Sequence, residues 1–111
     1  MRILFVCGMN KKRSPTAEAI YRNDNRFQVR SAGVSSSSKN RLTLKNIEWA
    51  DLILVMEKKY KDRIVQNYRD RLELPRIQSL EISDEYEFMD AELVDLIKIS
   101  VETLLRQMCI K

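Results

Sequence analysis

The run Leu52-Ile53-Leu54-Val55-Met56 contains no polar residue, and such a run suits a strand covered on both faces better than one with a wet side. A second apolar run, Ile3-Leu4-Phe5-Val6, stands near the start of the chain. Strand-like and helix-like segments alternate from there to the end, which argues a parallel sheet with crossover helices, an α/β fold. No repeat, linker or change of composition divides the 111 residues, so a single domain over 1–111 is expected.

The first apolar run passes into Cys7-Gly8-Met9-Asn10-Lys11-Lys12-Arg13-Ser14-Pro15: a cysteine, five residues, an arginine, then a serine and a proline. A loop between a strand and a helix N-terminus aims backbone N–H groups and the positive end of the helix dipole at one place, where an anion is stabilised. A thiol at the start of such a loop has its nucleophilic thiolate form favoured by the same dipoles. Cys7 is therefore the candidate nucleophile. Arg13 brings a planar guanidinium suited to two phosphoryl oxygens, and the amides and side chains of Gly8, Met9, Asn10, Lys11, Lys12, Arg13 and Ser14 form the candidate phosphate cradle. Ser14 is placed to hydrogen-bond the sulfur, and Pro15 suits a first helical turn. The competing reading of Cys7 is a small hydrophobe at the end of a buried strand.

Charge and composition narrow the chemistry. The net charge of +4 favours anionic partners without naming one, and nucleic acid is not indicated. Neither apolar run approaches the length needed to span a bilayer, and the N-terminus lacks a signal-peptide pattern, so no membrane association and a cytoplasmic location are expected. With 2 cysteines, Cys7 and Cys109, a disulfide framework is not expected. The count of histidines is 0, which excludes Ser-His and Cys-His catalysis and most zinc sites. No metal and no cofactor is expected.

Along the chain, Ala17, Ile20 and Tyr21 share a helical face over Thr16 to Arg22, ending at the turn cluster Asn23-Asp24-Asn25. Phe27 to Ser31 reads as a second strand. Gly33 to Asn40, with Ser35 to Ser38 in its middle, reads as an exposed loop on the same sheet edge as Cys7, the edge where open α/β sheets place ligands. Thr43 can cap a short helix, and Trp49 after it is expected in the core. Lys58 to Tyr68 has Tyr60, Ile64, Val65 and Tyr68 at helical spacing, a pattern best explained by core packing. Beyond Pro75, Ile77 to Ile82 is the fourth strand. Asp90 begins a last helix with the stripe Leu93, Leu96, Ile97, Val101, Leu104, Leu105 and Met108, and Cys109 beside it is expected to be a buried structural thiol.

Cleaving a phosphate ester also requires a proton for the departing oxygen, and without histidine a carboxylic acid is the obvious donor. The segment after the fourth strand offers Glu81, Asp84, Glu85, Glu87 and Asp90, with Asp90 also suited to cap the final helix.

Ile3-Leu4-Phe5-Val6-Cys7, Asn10 and Arg13-Ser14-Pro15-Thr16-Ala17-Glu18-Ala19 together resemble the signature of the low-molecular-weight protein tyrosine phosphatases. Ser31-Ala32-Gly33 and Asp51-Leu52-Ile53-Leu54-Val55-Met56-Glu57 are similar to later segments of that family, in the right order. The resemblance implies a three-layer sandwich with a four-stranded parallel sheet in the order 2-1-3-4. It also implies hydrolysis of phosphate monoesters through a phosphocysteine. Its substrate would be protein phosphotyrosine, with phosphoarginine and small phosphate esters as other options, and inorganic phosphate or sulfate would be a ligand. Asn10 would take a left-handed conformation and bond toward Ser31.

Asp84-Glu85-Tyr86 resembles the family's Asp-Pro-aromatic segment, which puts Asp84 ahead of Asp90 as general acid. The chain departs from the pattern at Met9, where the family has glycine, at Lys12, where it has a second cysteine, and at Glu85, where it has proline. Ser37 stands where many members place an aromatic wall, and the segment from Asn40 to Trp49 is shorter. The alternative function is a phosphate- or phosphoprotein-binding module that keeps the loop without turnover.

Overall fold

The computed structural model describes residues 1–70 and 73–108. Four parallel strands, β1 (Arg2–Cys7), β2 (Gln28–Gly33), β3 (Leu52–Val55) and β4 (Arg76–Ser79), lie in the order β2-β1-β3-β4. Helices α1 (Arg13–Tyr21), α2 (Leu44–Trp49) and α3 (Lys58–Tyr68) connect them, and α4 (Ala91–Gln107) follows β4. Right-handed crossovers put α1 on one face and α2 and α3 on the other, because the connection to β2 runs in the direction opposite to the next two. Helix α4 packs beside α1. This is the α/β sandwich and strand order expected from the sequence.

The two apolar runs become the two central strands. Ile3, Leu4, Phe5 and Val6 of β1, and Leu52 to Val55 of β3, are all fully buried. Each such side chain contributes about 1.5–3 kcal/mol relative to exposure, so the sheet centre dominates the core. Leu93, Ile97, Val101 and Leu105 of α4 close one side, at the spacing that the stripe predicts. Tyr21 donates to Glu102 at 3.0 Å and Arg26 reaches Glu102 at 2.9 Å, tying α1 and the turn after it to α4.

Some expectations are corrected. Helix α1 starts at Arg13 rather than Thr16. Asn10, at φ 55, turns the loop sharply enough for Arg13 and Ser14 to enter helical geometry at once. Strand β4 ends at Ser79, because Glu81 adopts φ 54, although Leu80 N and Ile82 N still donate to Val55 O and Met56 O. Trp49 is half-buried, with the Arg30 guanidinium 4.3 Å from its ring centroid, rather than deep in the core. Cys109 lies outside the described residues. No helix among the described residues is long and apolar enough to cross a membrane.

The carboxyl ends of β1, β2 and β3 share one edge, where the crossover direction reverses beside β1, the position at which such sheets bind ligands. At this edge Cys7 is in register with Gly33. The serine run is a strap across it. Ser35 N donates to Gly8 O at 2.9 Å, Ser38 Oγ donates to Ser35 O at 2.6 Å and lies 3.0 Å from Gly8 O, and Lys39 N reaches Met9 O. Gly33 is required by this close approach, since a Cβ there would lie 2.8 Å from Gly8 O.

Candidate active site

Cys7 ends β1 with its sulfur buried and surrounded by donors from the loop that follows. Asn10 N donates to Sγ at 3.2 Å, a bond made available by the left-handed turn at Asn10. Ser14 Oγ lies 2.9 Å from Sγ and accepts from Asn10 Nδ2 at 2.9 Å. The single hydroxyl hydrogen of Ser14 has two takers, Sγ and Ala32 O at 3.5 Å, and the sulfur is the closer. Asn10 thus bonds to Ser14 and not to Ser31 as the resemblance implied. The Ser31 hydroxyl donates instead to Glu18 at 2.7 Å, and Asn40 Nδ2 occupies its carbonyl.

Arg13 is almost fully buried at the first position of α1, and protein groups fix its guanidinium. Nη1 donates to Glu57 Oε2 and to Ile82 O, both at 2.6 Å, and Nη2 donates to Tyr60 Oη at 2.9 Å. Tyr60 in turn donates to Glu57 Oε2 at 3.2 Å. Nη1 is therefore fully used, and Nε and the remaining Nη2 hydrogen are the donors left for an anion. Nε faces Asp84 Oδ1 at 3.6 Å. Burial opposes the charge on Arg13, but the Glu57 hydrogen bond, with help from Tyr60 and Asp84, more than offsets it and raises the guanidinium pKa. Burial pushes the Tyr60 phenol up, so it stays protonated.

One cavity of about 170 Å³ is lined by Cys7, Gly8, Met9, Lys11, Lys12, Arg13, Tyr60 and Asp84. The loop and the segment after β4 meet here because both leave the same sheet edge. Asn10 and Ser14 are buried and hold the loop and the sulfur. Lys12 pairs with Glu87 at 3.1 Å, which draws the acidic segment toward the loop. Asp84 is an exposed wall of the cavity, whereas Asp90 accepts from Glu92 N at 2.9 Å as the N-cap of α4 and does not line it. Sequence reasoning missed Glu57 and Tyr60 as site residues. The spacing of Tyr60 fits core packing, and its ring is indeed buried, but its hydroxyl belongs to the Arg13 network. Its position in the first turn after a buried strand, on the ligand-binding edge, is the signal that could have found it.

The hydrogen bond from Arg13 holds the Glu57 carboxyl below its ordinary value of 4.5. A carboxylate with a depressed folded-state pKa stabilises the protein above the unfolded value, and that stability is lost as pH falls through the folded value. Glu102, held low by Arg26, acts in the same direction. Replacing Glu57→Gln should lower the urea midpoint at about pH 7 and lower it progressively less as pH falls through the folded value of Glu57, where the wild type loses the same charge. A midpoint difference that is constant across this range would show that the pair contributes nothing through its charge.

Residues 2–48 match the family model described as low molecular weight phosphotyrosine protein phosphatase. No curated protein sequence matches the chain. Among solved structures, it is similar to a low molecular weight protein tyrosine phosphatase from Bacillus subtilis, at 25% identity and TM-score 0.69 over 96% of this chain and 98% of that one. YwlE arginine phosphatase from Geobacillus stearothermophilus matches at 24% identity and TM-score 0.67, over 96% and 95% of the two chains. SP-PTP, the low molecular weight protein tyrosine phosphatase from Streptococcus pyogenes, shares 15% identity but superimposes with TM-score 0.76, over 96% and 91%.

Proposed function

We propose, from the family model's match over residues 2–48 and the fold shared with its members, that the chain is a low-molecular-weight phosphotyrosine phosphatase that hydrolyses phosphate monoesters on proteins through a phosphocysteine at Cys7. The observation that carries the proposal is the convergence of Cys7, Arg13 and Asp84 on one cavity.

In the first step the Cys7 sulfur attacks phosphorus. The bond from phosphorus to the ester oxygen breaks as Asp84 gives that oxygen its proton. Loop amides and the free donors of Arg13 stabilise the charge on the non-bridging oxygens, the largest contribution expected in phosphoryl transfer. In the second step Asp84 takes a proton from water, the water oxygen bonds to phosphorus, and the phosphorus–sulfur bond breaks to release inorganic phosphate. Asn10 N and Ser14 Oγ then stabilise the departing sulfur. A free thiol nucleophile works best in a reducing compartment, and the cytoplasm is the setting we propose.

Phosphotyrosine is the first substrate proposed. Phosphoarginine is its competitor, because proteins described as arginine phosphatases share the fold. Release of inorganic phosphate from a phosphotyrosyl peptide, a phosphoarginyl peptide and a small alkyl phosphate orders these choices. The phosphotyrosyl peptide is expected to react fastest, and faster release from the phosphoarginyl peptide would reassign the substrate. Tight vanadate binding with no turnover of any of the three would replace the hydrolase with a phosphate-binding module.

A further inference from the structure

Lys11 faces two cavities. Besides the reaction cavity, it lines a neighbouring one of about 470 Å³ together with Pro15, Ser31, Lys39 and Phe88. Glu18 also lines this second cavity, where it accepts from Ser31 Oγ. Neither Lys11 nor Lys39 has an ion-pair partner among the described residues. Two cations without an ion-pair partner among the described residues thus stand at the wall of a cavity that adjoins the nucleophile, and the one carboxylate lining it, Glu18, is engaged by Ser31.

Phe88 is 54% exposed, an unusual state for a residue whose two neighbours are both anchored to α1 or the loop before it. Glu87 pairs with Lys12 at 3.1 Å, and Met89 N donates to Thr16 Oγ1 at 3.0 Å. Met89 adopts φ 61, a conformation that a non-glycine residue keeps only where its surroundings impose it. The segment that supplies Asp84 to one cavity therefore presents Phe88 to the other.

We propose that the second cavity is a subsite for the residues flanking the phosphorylated one in a protein substrate. An apolar side chain packs against Phe88 and Pro15, and a neighbouring carboxylate lies between Lys11 and Lys39. The inference rests on the phosphatase reading and narrows it to acidic segments of phosphoproteins, since a small ester fills the reaction cavity alone. Charge complementarity and continuity with the reaction cavity select this occupant.

The test measures inhibition of aryl phosphate hydrolysis by two phosphotyrosyl peptides of equal length, one flanked by Asp and Phe and the other by Lys and Ser. The acidic peptide should inhibit about tenfold more tightly, the scale of a well-placed charge pair with one apolar contact. Lys39→Glu should abolish the preference and Phe88→Ala should reduce it, both with the KM for the aryl phosphate unchanged. Equal inhibition by the two peptides, or a preference that survives in both variants, overturns the subsite while leaving the hydrolase intact. Absence of aryl phosphate turnover counts against the hydrolase instead, and direct binding of the same peptides then decides the subsite by the same comparison.

Discussion

Cys7→Ser is expected to reduce hydrolysis of an aryl phosphate by about four orders of magnitude or more, the scale seen when a covalent nucleophile is removed. A serine hydroxyl occupies nearly the same volume, so the fold and the loop should be retained. Ser14 Oγ and Asn10 N would still have an acceptor at that position, and the strap over Gly8 does not involve the thiol. Vanadate or phosphate should accordingly bind to Cys7→Ser about as well as inorganic phosphate binds to the wild type. Loss of activity together with loss of anion binding would point to a collapsed loop rather than a missing nucleophile. Retained activity would remove Cys7 from the mechanism.

The second large effect separates the two candidate acids. Asp84→Asn should slow hydrolysis by about 100-fold for a substrate with a poor leaving group, and much less for a good one that departs without a proton. Asp84 lines the reaction cavity and reaches the Arg13 Nε within 3.6 Å, so it adjoins any anion held there. Asp90 bonds to Glu92 N at the start of α4, and Asn also caps well. Asp90→Asn should therefore lower stability by about a kilocalorie per mole or less and leave the leaving-group dependence as in the wild type. A selective loss in Asp90→Asn, with Asp84→Asn unchanged, would reverse the assignment.

How legible these features are in the sequence depends on whether they are set by local pattern or by contacts between distant segments. The unbroken run Leu52 to Met56 and the amphipathic spacing over Lys58 to Tyr68 each determine their element almost alone, and α3 has the bounds that its spacing predicts. Thr43 and Asp90 cap their helices because side chains that accept from the N2 or N3 amide are local signals.

The start of α1 was not legible. Its N-cap, Lys12, makes no side-chain capping bond, and the helix instead begins where the turn at Asn10 allows. The end of β4 was hidden for a similar reason, since Glu81 breaks the strand through its backbone conformation and not through a glycine or proline. At the site, the nucleophile and arginine lie within one short loop and could be read together. Glu57 and Tyr60 act on Arg13 across more than forty positions of chain, a relation that appears only once β1 and β3 lie side by side. The serine run shows the opposite trap. Its composition reads only as an exposed loop, yet it fixes the Gly8 carbonyl by the bond from Ser35 N and is itself braced by the Ser38 hydroxyl on Ser35 O.

The central claim is that Cys7 carries the phosphoryl group between the two steps. Mixing the protein with an excess of aryl phosphate bearing labelled phosphorus, quenching in acid during turnover and mapping the label by peptide mass tests it directly. The account predicts label on the peptide containing Cys7, more of it in Asp84→Asn where the second step lacks its base, and none in Cys7→Ala. Turnover with no labelled protein, or with label on another residue, would contradict it.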